Sequence, residues 1–193
     1  LRAAKVELVP ARAVVTGPHT VEAGGKRWEG EHILLAAGSV PALPPIPGLD
    51  TPGVVTSDGL LADLRPYDRL VIIGGGVIGV ELAWAWLSAG CRVTIVEALE
   101  RLTANLDREL SQGLTMELKK AGAAVYTGAS VLRVEPGPRV IFTHKGAELG
   151  LSADTVLAAA GRRPATEGLF SPGAAPEMER GFVKVDGSFR TSV

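Results

Sequence analysis

An α/β fold, a parallel sheet with helices on one side and a β-meander on the other, is what the sequence predicts, on three observations. Short apolar runs rich in β-branched residues, Leu70–Ile73, Arg92–Val96 and Asp154–Ala160, are patterned for strands covered on both faces. Two longer stretches with helical character, Val77–Ala89 and Arg108–Ala121, are each closed by a glycine, Gly90 and Gly122. After a further strand at Ala123–Thr127, the runs Val131–Val134, Arg139–Thr143 and Leu149–Leu151 are separated by Pro136-Gly137-Pro138 and Lys145-Gly146, turn chemistry that makes a meander.

The chain is organised around Arg69–Glu97. Gly74-Gly75-Gly76-Val77-Ile78-Gly79 stands between a strand and a helix and reads Gly-x-Gly-x-x-Gly. A sharp strand-to-helix turn favours glycine at 74, a diphosphate close to the backbone leaves no room for a side chain at 76, and tight packing of helix on strand needs a small residue at 79. The helix start at Val77 and Ile78 offers unpaired N–H groups and the positive end of its dipole to an anion. The second strand closes on Glu97, where a carboxylate accepts hydrogen bonds from the hydroxyls of an adenosine ribose. The glycine pattern alone is weak; strand, helix and terminal acid together predict a dinucleotide site. A carboxylate at 97 repels a 2′-phosphate, so NAD is expected rather than NADP, and Arg101 is not expected to hold a phosphate.

Composition narrows the function. The 193 residues are 46% hydrophobic with a formal net charge of −1, which fits a globular chain and gives no reason to expect nucleic acid or a membrane surface as partner. No apolar run reaches the roughly 18–20 residues that cross a bilayer, and Glu81 interrupts the longest candidate, Val77–Ala89. The first residues carry Arg2, Lys5 and Glu7 with no apolar core, so no signal peptide is expected. The single cysteine, Cys91, excludes a disulfide framework, is expected to be buried, and fits a cytoplasmic location. His19, His32 and His144 lack ligand spacing, so no metal is expected.

The ends of the chain read differently from its middle. Val6–Val9, Ala13–Val15, Thr20–Glu22 and Arg27–Glu29 are expected as short strands, with a hairpin connection at Ala23-Gly24-Gly25-Lys26. His32–Ala36 is expected as an apolar strand running into Ala37-Gly38-Ser39. Pro41, Pro44, Pro45, Pro47 and Pro52 exclude a helix or central strand and predict a stiff connector, docked through Ile46, Leu49, Val54 and Val55. A short helix over Gly59–Leu64, capped by Ser57 or Asp58, should end before Pro66, and Asp107 should cap the helix that follows. Trp84 and Trp86 fall on opposite sides of the first long helix, and Phe182–Val185 reads as a strand. Both Ile33–Ser39 and Val156–Arg162 are apolar runs ending in Ala-Gly.

Taken together, these pieces resemble the pyridine nucleotide–disulfide oxidoreductases, the flavoprotein family of dihydrolipoamide dehydrogenase, glutathione reductase and mercuric reductase. The carriers are Ile33-Leu34-Leu35-Ala36-Ala37-Gly38-Ser39-Val40-Pro41, Ile46-Pro47-Gly48, Thr56-Ser57-Asp58, the turn Gly74–Glu81, Ala160-Gly161-Arg162-Arg163-Pro164 with Thr166–Leu169, and Arg190–Val193. The resemblance covers essentially the whole chain and is strongest to the dihydrolipoamide dehydrogenase branch. It implies a Rossmann-like NAD-binding domain over 53–161, with a partial FAD-domain segment and crossing over 1–52 and a return to the FAD domain over 162–193.

The resemblance further implies that Glu81 faces the nicotinamide–flavin junction and pairs with a lysine of the FAD half. Val131 and Gly161 are implied as NAD contacts near the adenine and the nicotinamide, and Ala37, Gly38 and Ser39 as FAD contacts. The family's first Gly-x-Gly-x-x-Gly, its Cys-x-x-x-x-Cys pair and its C-terminal dimerisation domain with an acid–base histidine do not occur in these residues. The chain is therefore expected to be the central portion of a homodimeric parent that passes hydride between NAD(H) and FAD and acts on a small-molecule or lipoyl dithiol/disulfide. Alone it is expected to be inactive. The alternatives are a stand-alone NAD-binding sensing or scaffold module without redox turnover, and an NAD(P)H-dependent reductase of the same family with another acceptor.

Overall fold

A computed structural model describes residues 2–63 and 65–193; Leu64, the end of the expected short helix, lies outside the described residues. The chain forms two compact units, one from 1–40 with 163–193 and the other from 41–162.

The unit 41–162 runs β1 (Val54–Thr56), α1 (Ser57–Ala62), β2 (Arg69–Ile73), α2 (Val77–Ser88), β3 (Arg92–Val96), α3 (Arg108–Lys120), β4 (Ala124–Tyr126), β5 (Ala129–Glu135), β6 (Arg139–His144), β7 (Ala147–Ser152) and β8 (Thr155–Ala158). Five strands make a parallel sheet in the order β1-β8-β2-β3-β4. The last strand in sequence thus enters between the first two, pairing Leu157 with Val55 on one side and with Ile72 on the other.

Strand alternation divides the core into two layers. Leu70, Ile72, Val93, Ile95 and Leu157 pack with Leu60 of α1, Val80 and Ala83 of α2 and Leu118 of α3. Val71, Ile73, Val96, Val156 and Ala158 face the other way, against Val134, Val140 and Phe142 of the antiparallel sheet β5-β6-β7. The expected arrangement, helices on one face and a meander on the other, is the one observed. Because both faces are covered, the sheet strands are continuous apolar runs.

Several boundaries follow from local chemistry. α1 is capped by Thr56, whose hydroxyl accepts from the Gly59 N–H, rather than by Ser57 or Asp58, which are its first residues. Asp107 stands at the N-cap of α3 without a side-chain bond to the helix. Cys91 is buried at the start of β3, and burial pushes its thiol pKa up. Trp86 packs into the helix-side core while Trp84 is 45% exposed. In the proline-rich stretch Leu49 is buried in the meander-side core, and the Val134 N–H donates to the Pro47 carbonyl at 2.8 Å. At Gly48, with φ +86°, an added Cβ would collide with the Val134 carbonyl, so this connector lies tight on β5.

The other unit holds a three-stranded antiparallel sheet of Ala13–Gly17, Thr20–Ala23 and Lys26–Glu29, and a two-stranded pairing of Met178–Glu179 with Phe182–Val183. Two expectations fail here. Val6–Val9 and His32–Ala36 are not strands, and Leu34 is 91% exposed. An extended segment becomes a strand only when neighbours accept and donate along it, and among the described residues neither segment has such a ladder.

Candidate nucleotide site

The site is built at the carboxyl ends of β2, β3 and β8, where an open parallel sheet places its crevice. β2 ends at Ile73 and the chain turns through Gly74, whose φ of +110° lies in the left-handed region. A Cβ there would sit 2.5 Å from the Ala159 carbonyl oxygen. Gly79 packs so closely beneath the turn that a Cβ would collide with the carbonyl of Gly74. Gly76 differs from both. It is the N-cap of α2, bears no side-chain cap, and a Cβ added there would meet nothing within 4 Å. No packing contact in this chain thus calls for a glycine at 76.

Gly75 is held from both sides. Its N–H donates to Glu97 Oε2 at 2.5 Å, and its carbonyl accepts from the Thr103 N–H at 2.7 Å. A Cβ on Gly75 would collide with Leu102, which is fully buried beneath it. Glu97 Oε1 accepts from the Leu99 N–H at 2.7 Å. The half-buried carboxylate is thereby aimed at the turn, and each oxygen keeps a lone pair for an incoming hydroxyl. The first intrahelical bond of α2 joins the Val80 N–H to the Gly76 carbonyl at 3.0 Å, so the N–H groups of Val77, Ile78 and Gly79 precede the helical ladder. Backbone donors, an uncapped helix start, open space at Gly76 and a carboxylate beside them fit a dinucleotide's diphosphate and ribose.

Other sequence-expected residues fall at different places. Gly161 follows β8 with φ +134°, and its carbonyl accepts from the Ala42 N–H at 2.9 Å. Val131 lies in β5 opposite Phe142, partly buried against the meander-side core. Glu81 is on the exposed side of α2, so its charge is solvated rather than enclosed within the chain. Ala37, Gly38 and Ser39 belong to the other unit, where the Gly38 carbonyl accepts from the Ala165 N–H at 3.1 Å. The Arg101 guanidinium donates to the Ala104 carbonyl at 2.7 Å and so ties its own loop. Among the described residues no cluster of His, Cys, Asp or Glu is placed to hold a metal, and no helix is long and apolar enough to cross a membrane. Leu102 beneath Gly75, and Thr103, whose N–H donates to the Gly75 carbonyl, carry no signal in the sequence, since no motif or glycine marks them.

The class is settled by comparison. The family model described as pyridine nucleotide-disulphide oxidoreductase matches residues 1–193, and the chain belongs to that family, whose members use FAD with a pyridine nucleotide. Within it, the chain is 36% identical over 203 residues to a dihydrolipoyl dehydrogenase of Chlorobaculum tepidum, covering 100% of this chain and 43% of that protein. It is 32% identical to a mercuric reductase of Bacillus cereus, covering 96% of this chain and 30% of the relative. Among solved structures, the Cu(II) complex of the HOCl-induced flavoprotein disulfide reductase RclA from Escherichia coli superposes with a TM-score of 0.83 at 30% identity, over 96% of this chain and 43% of that one. The chain therefore spans less than half the length of these relatives.

Proposed function

We propose that this chain forms the NAD(H) site of a flavin-dependent dithiol/disulfide oxidoreductase of the dihydrolipoamide dehydrogenase kind. The observation that carries the reading is the contrast at the turn: Gly74 and Gly79 are glycines for the fold, whereas Gly76 opens onto free space at an uncapped helix start beside Glu97. Bound together, NAD(H) and FAD supply hydride transfer; the protein's part is to bind and orient them. The amides at the start of α2, from Val77 and Ile78, hold the diphosphate, and Glu97 accepts the ribose hydroxyls and disfavours a 2′-phosphate. Val131 and Gly161 border the adenine and nicotinamide ends. Glu81, the proposed catalytic residue, is left exposed on α2 to meet the nicotinamide–flavin junction, and Ala37, Gly38 and Ser39 serve the flavin. The redox cysteines, the remaining FAD contacts, the dimerisation domain and the dithiol or lipoyl substrate belong to the rest of a homodimeric, cytoplasmic parent. The chain alone turns nothing over.

Gly76→Val tests this directly. Its side chain enters free space, so the stability cost is confined to the poorer N-cap, about 1 kcal/mol, while it fills the room a diphosphate needs. The expected outcome is a urea midpoint lowered by no more than that cost, the chain still folded, with NADH binding lost. NADH affinity within twofold of the unaltered chain would reject the site.

A further inference from the structure

The turn is braced from outside by residues with no place in the dinucleotide motif. Between Glu97 and α3 the chain folds back under the glycines, and Thr103 carries the contact, its N–H donating to the Gly75 carbonyl at 2.7 Å. Thr103 is 98% removed from solvent, with 2% exposure, and holds φ +44°, a left-handed conformation that a β-branched residue adopts only when its surroundings over-determine it. Those surroundings are polar and centre on Ser111, which is fully buried one turn into α3. The Ser111 hydroxyl donates to the Thr103 carbonyl at 3.2 Å and lies 3.3 Å from the Thr103 hydroxyl. With the Ser111 proton on the Thr103 carbonyl, the Thr103 hydroxyl proton is left to point at Ser111 Oγ, so both groups are satisfied at once. The Leu106 N–H also reaches the Thr103 carbonyl, at 2.8 Å, and the Ser111 N–H is itself held by the Asp107 carbonyl at 3.0 Å. A continuous set of hydrogen bonds thus runs from the first turns of α3 through Ser111 and Thr103 to Gly75.

We propose that Ser111 is a positioning residue for the dinucleotide: it holds Thr103 in the left-handed conformation from which the Thr103 N–H fixes the Gly75 peptide, and so sets nucleotide affinity without touching the nucleotide. This rests on reading the turn as a dinucleotide site. With the Gly75 N–H on Glu97 and its carbonyl on Thr103, the peptide between the strand and the phosphate-facing Gly76 has one orientation before any ligand arrives. Binding then spends little on ordering the turn. Loss of Ser111 leaves Thr103 in an unsupported backbone region. Thr103 moves to relieve it, the Gly75 carbonyl is released, and the diphosphate must order the turn itself.

The test is a cycle of Ser111→Ala, Thr103→Gly and the double variant, read by NADH calorimetry and by urea unfolding without nucleotide. Glycine keeps the N–H and adopts positive φ freely, so at position 103 it no longer needs Ser111. Ser111→Ala alone should weaken NADH binding about fivefold, as expected for a buried hydrogen bond. In the Thr103→Gly background the same change should alter NADH affinity less than twofold, a coupling that independent sites do not show. Ser111→Cys, close in volume, keeps the test decisive if the alanine variant does not fold, and should fall between serine and alanine. Lower stability with unchanged NADH affinity in every folded variant would make Ser111 a core residue only and overturn the proposal, as would equal effects in both backgrounds. An unaltered chain that binds no NADH would instead reject the nucleotide reading itself.

Discussion

Two segments with the same local pattern meet different ends. Val156–Arg162 and Ile33–Ser39 are both apolar runs closing on Ala-Gly. The first supplies Val156–Ala158 of β8, buried and inserted between β1 and β2. The second makes no ladder of its own over 32–36 and leaves Leu34 at 91% exposure. Composition equips a segment to be a strand; a neighbour hydrogen-bonded along its edge makes it one. The glycines repeat the lesson. Gly161 and Gly38 both hold positive φ with no atom within 4 Å of an added Cβ, whereas Gly74 and Gly79 are pressed against backbone carbonyls.

Substitution should separate the two segments most sharply at their centres. Leu157→Asp places a charge between sheet and helices and should cost more than about 4 kcal/mol, enough to unfold the 41–162 unit. Leu34→Asp, at an exposed site, should fall within about 0.5 kcal/mol of the unaltered chain. Urea denaturation followed by circular dichroism measures both, and a large effect at Leu34 would mean that its segment is paired in solution. The glycines come next. Gly79→Ala forces a methyl group into the turn and should cost about 2–3 kcal/mol, against about 1 kcal/mol for Gly38→Ala, where only the left-handed backbone is at issue. Equal costs would erase the distinction between a packed and an open glycine.

The entry to β8 supplies a smaller, pH-dependent effect. Asp154 accepts from the Arg69 guanidinium at 2.8 Å and from the backbone N–H groups of Arg69 and Asp68 at 2.9 and 3.0 Å. The Arg69 side-chain bond foremost, with its backbone bond, holds the Asp154 pKa below the usual aspartate value. A depressed folded-state pKa means that the contribution is present above the unfolded-state pKa of about 3.9 and is lost as pH falls through the lower folded value. Asp154→Asn should therefore flatten the fall in stability below about pH 4 and leave the slope between pH 6 and 8 unchanged. An unchanged acid limb would show the ion pair to be solvated away. The last signal is kinetic. Cys91, buried beside β2 with its thiol pKa raised, should react with a disulfide reagent orders of magnitude more slowly than free cysteine at pH 8. Leu157→Ala should speed that reaction, while Leu34→Ala should not.

Much of the middle of the chain was legible because its signals are local and agree with one another. Apolar β-branched runs, glycine stops and an acid closing β3 all point to the same βαβ unit, and the glycine turn carries its own stereochemistry. What escaped was set by partners distant in sequence. The failure of 32–36 to form a strand depends on edges the segment itself cannot specify. Thr56 capped α1 because the chain leaves β1 one residue earlier than the Ser57-Asp58 pair suggests. The brace from Ser111 through Thr103 is written in ordinary residues whose roles exist only once α3 is docked, and Thr103 at positive φ is the opposite of what turn chemistry would choose.

The central claim is that the glycine turn and Glu97 together seat NAD rather than NADP. Calorimetric titration of the chain with NADH and with NADPH, in one buffer at one ionic strength, tests it most directly. NADH should bind at least about tenfold more tightly, a difference of about 1.4 kcal/mol, and Glu97→Ala should remove most of that preference. NADPH binding as tight as NADH, or neither nucleotide binding while the chain remains folded, would contradict the account.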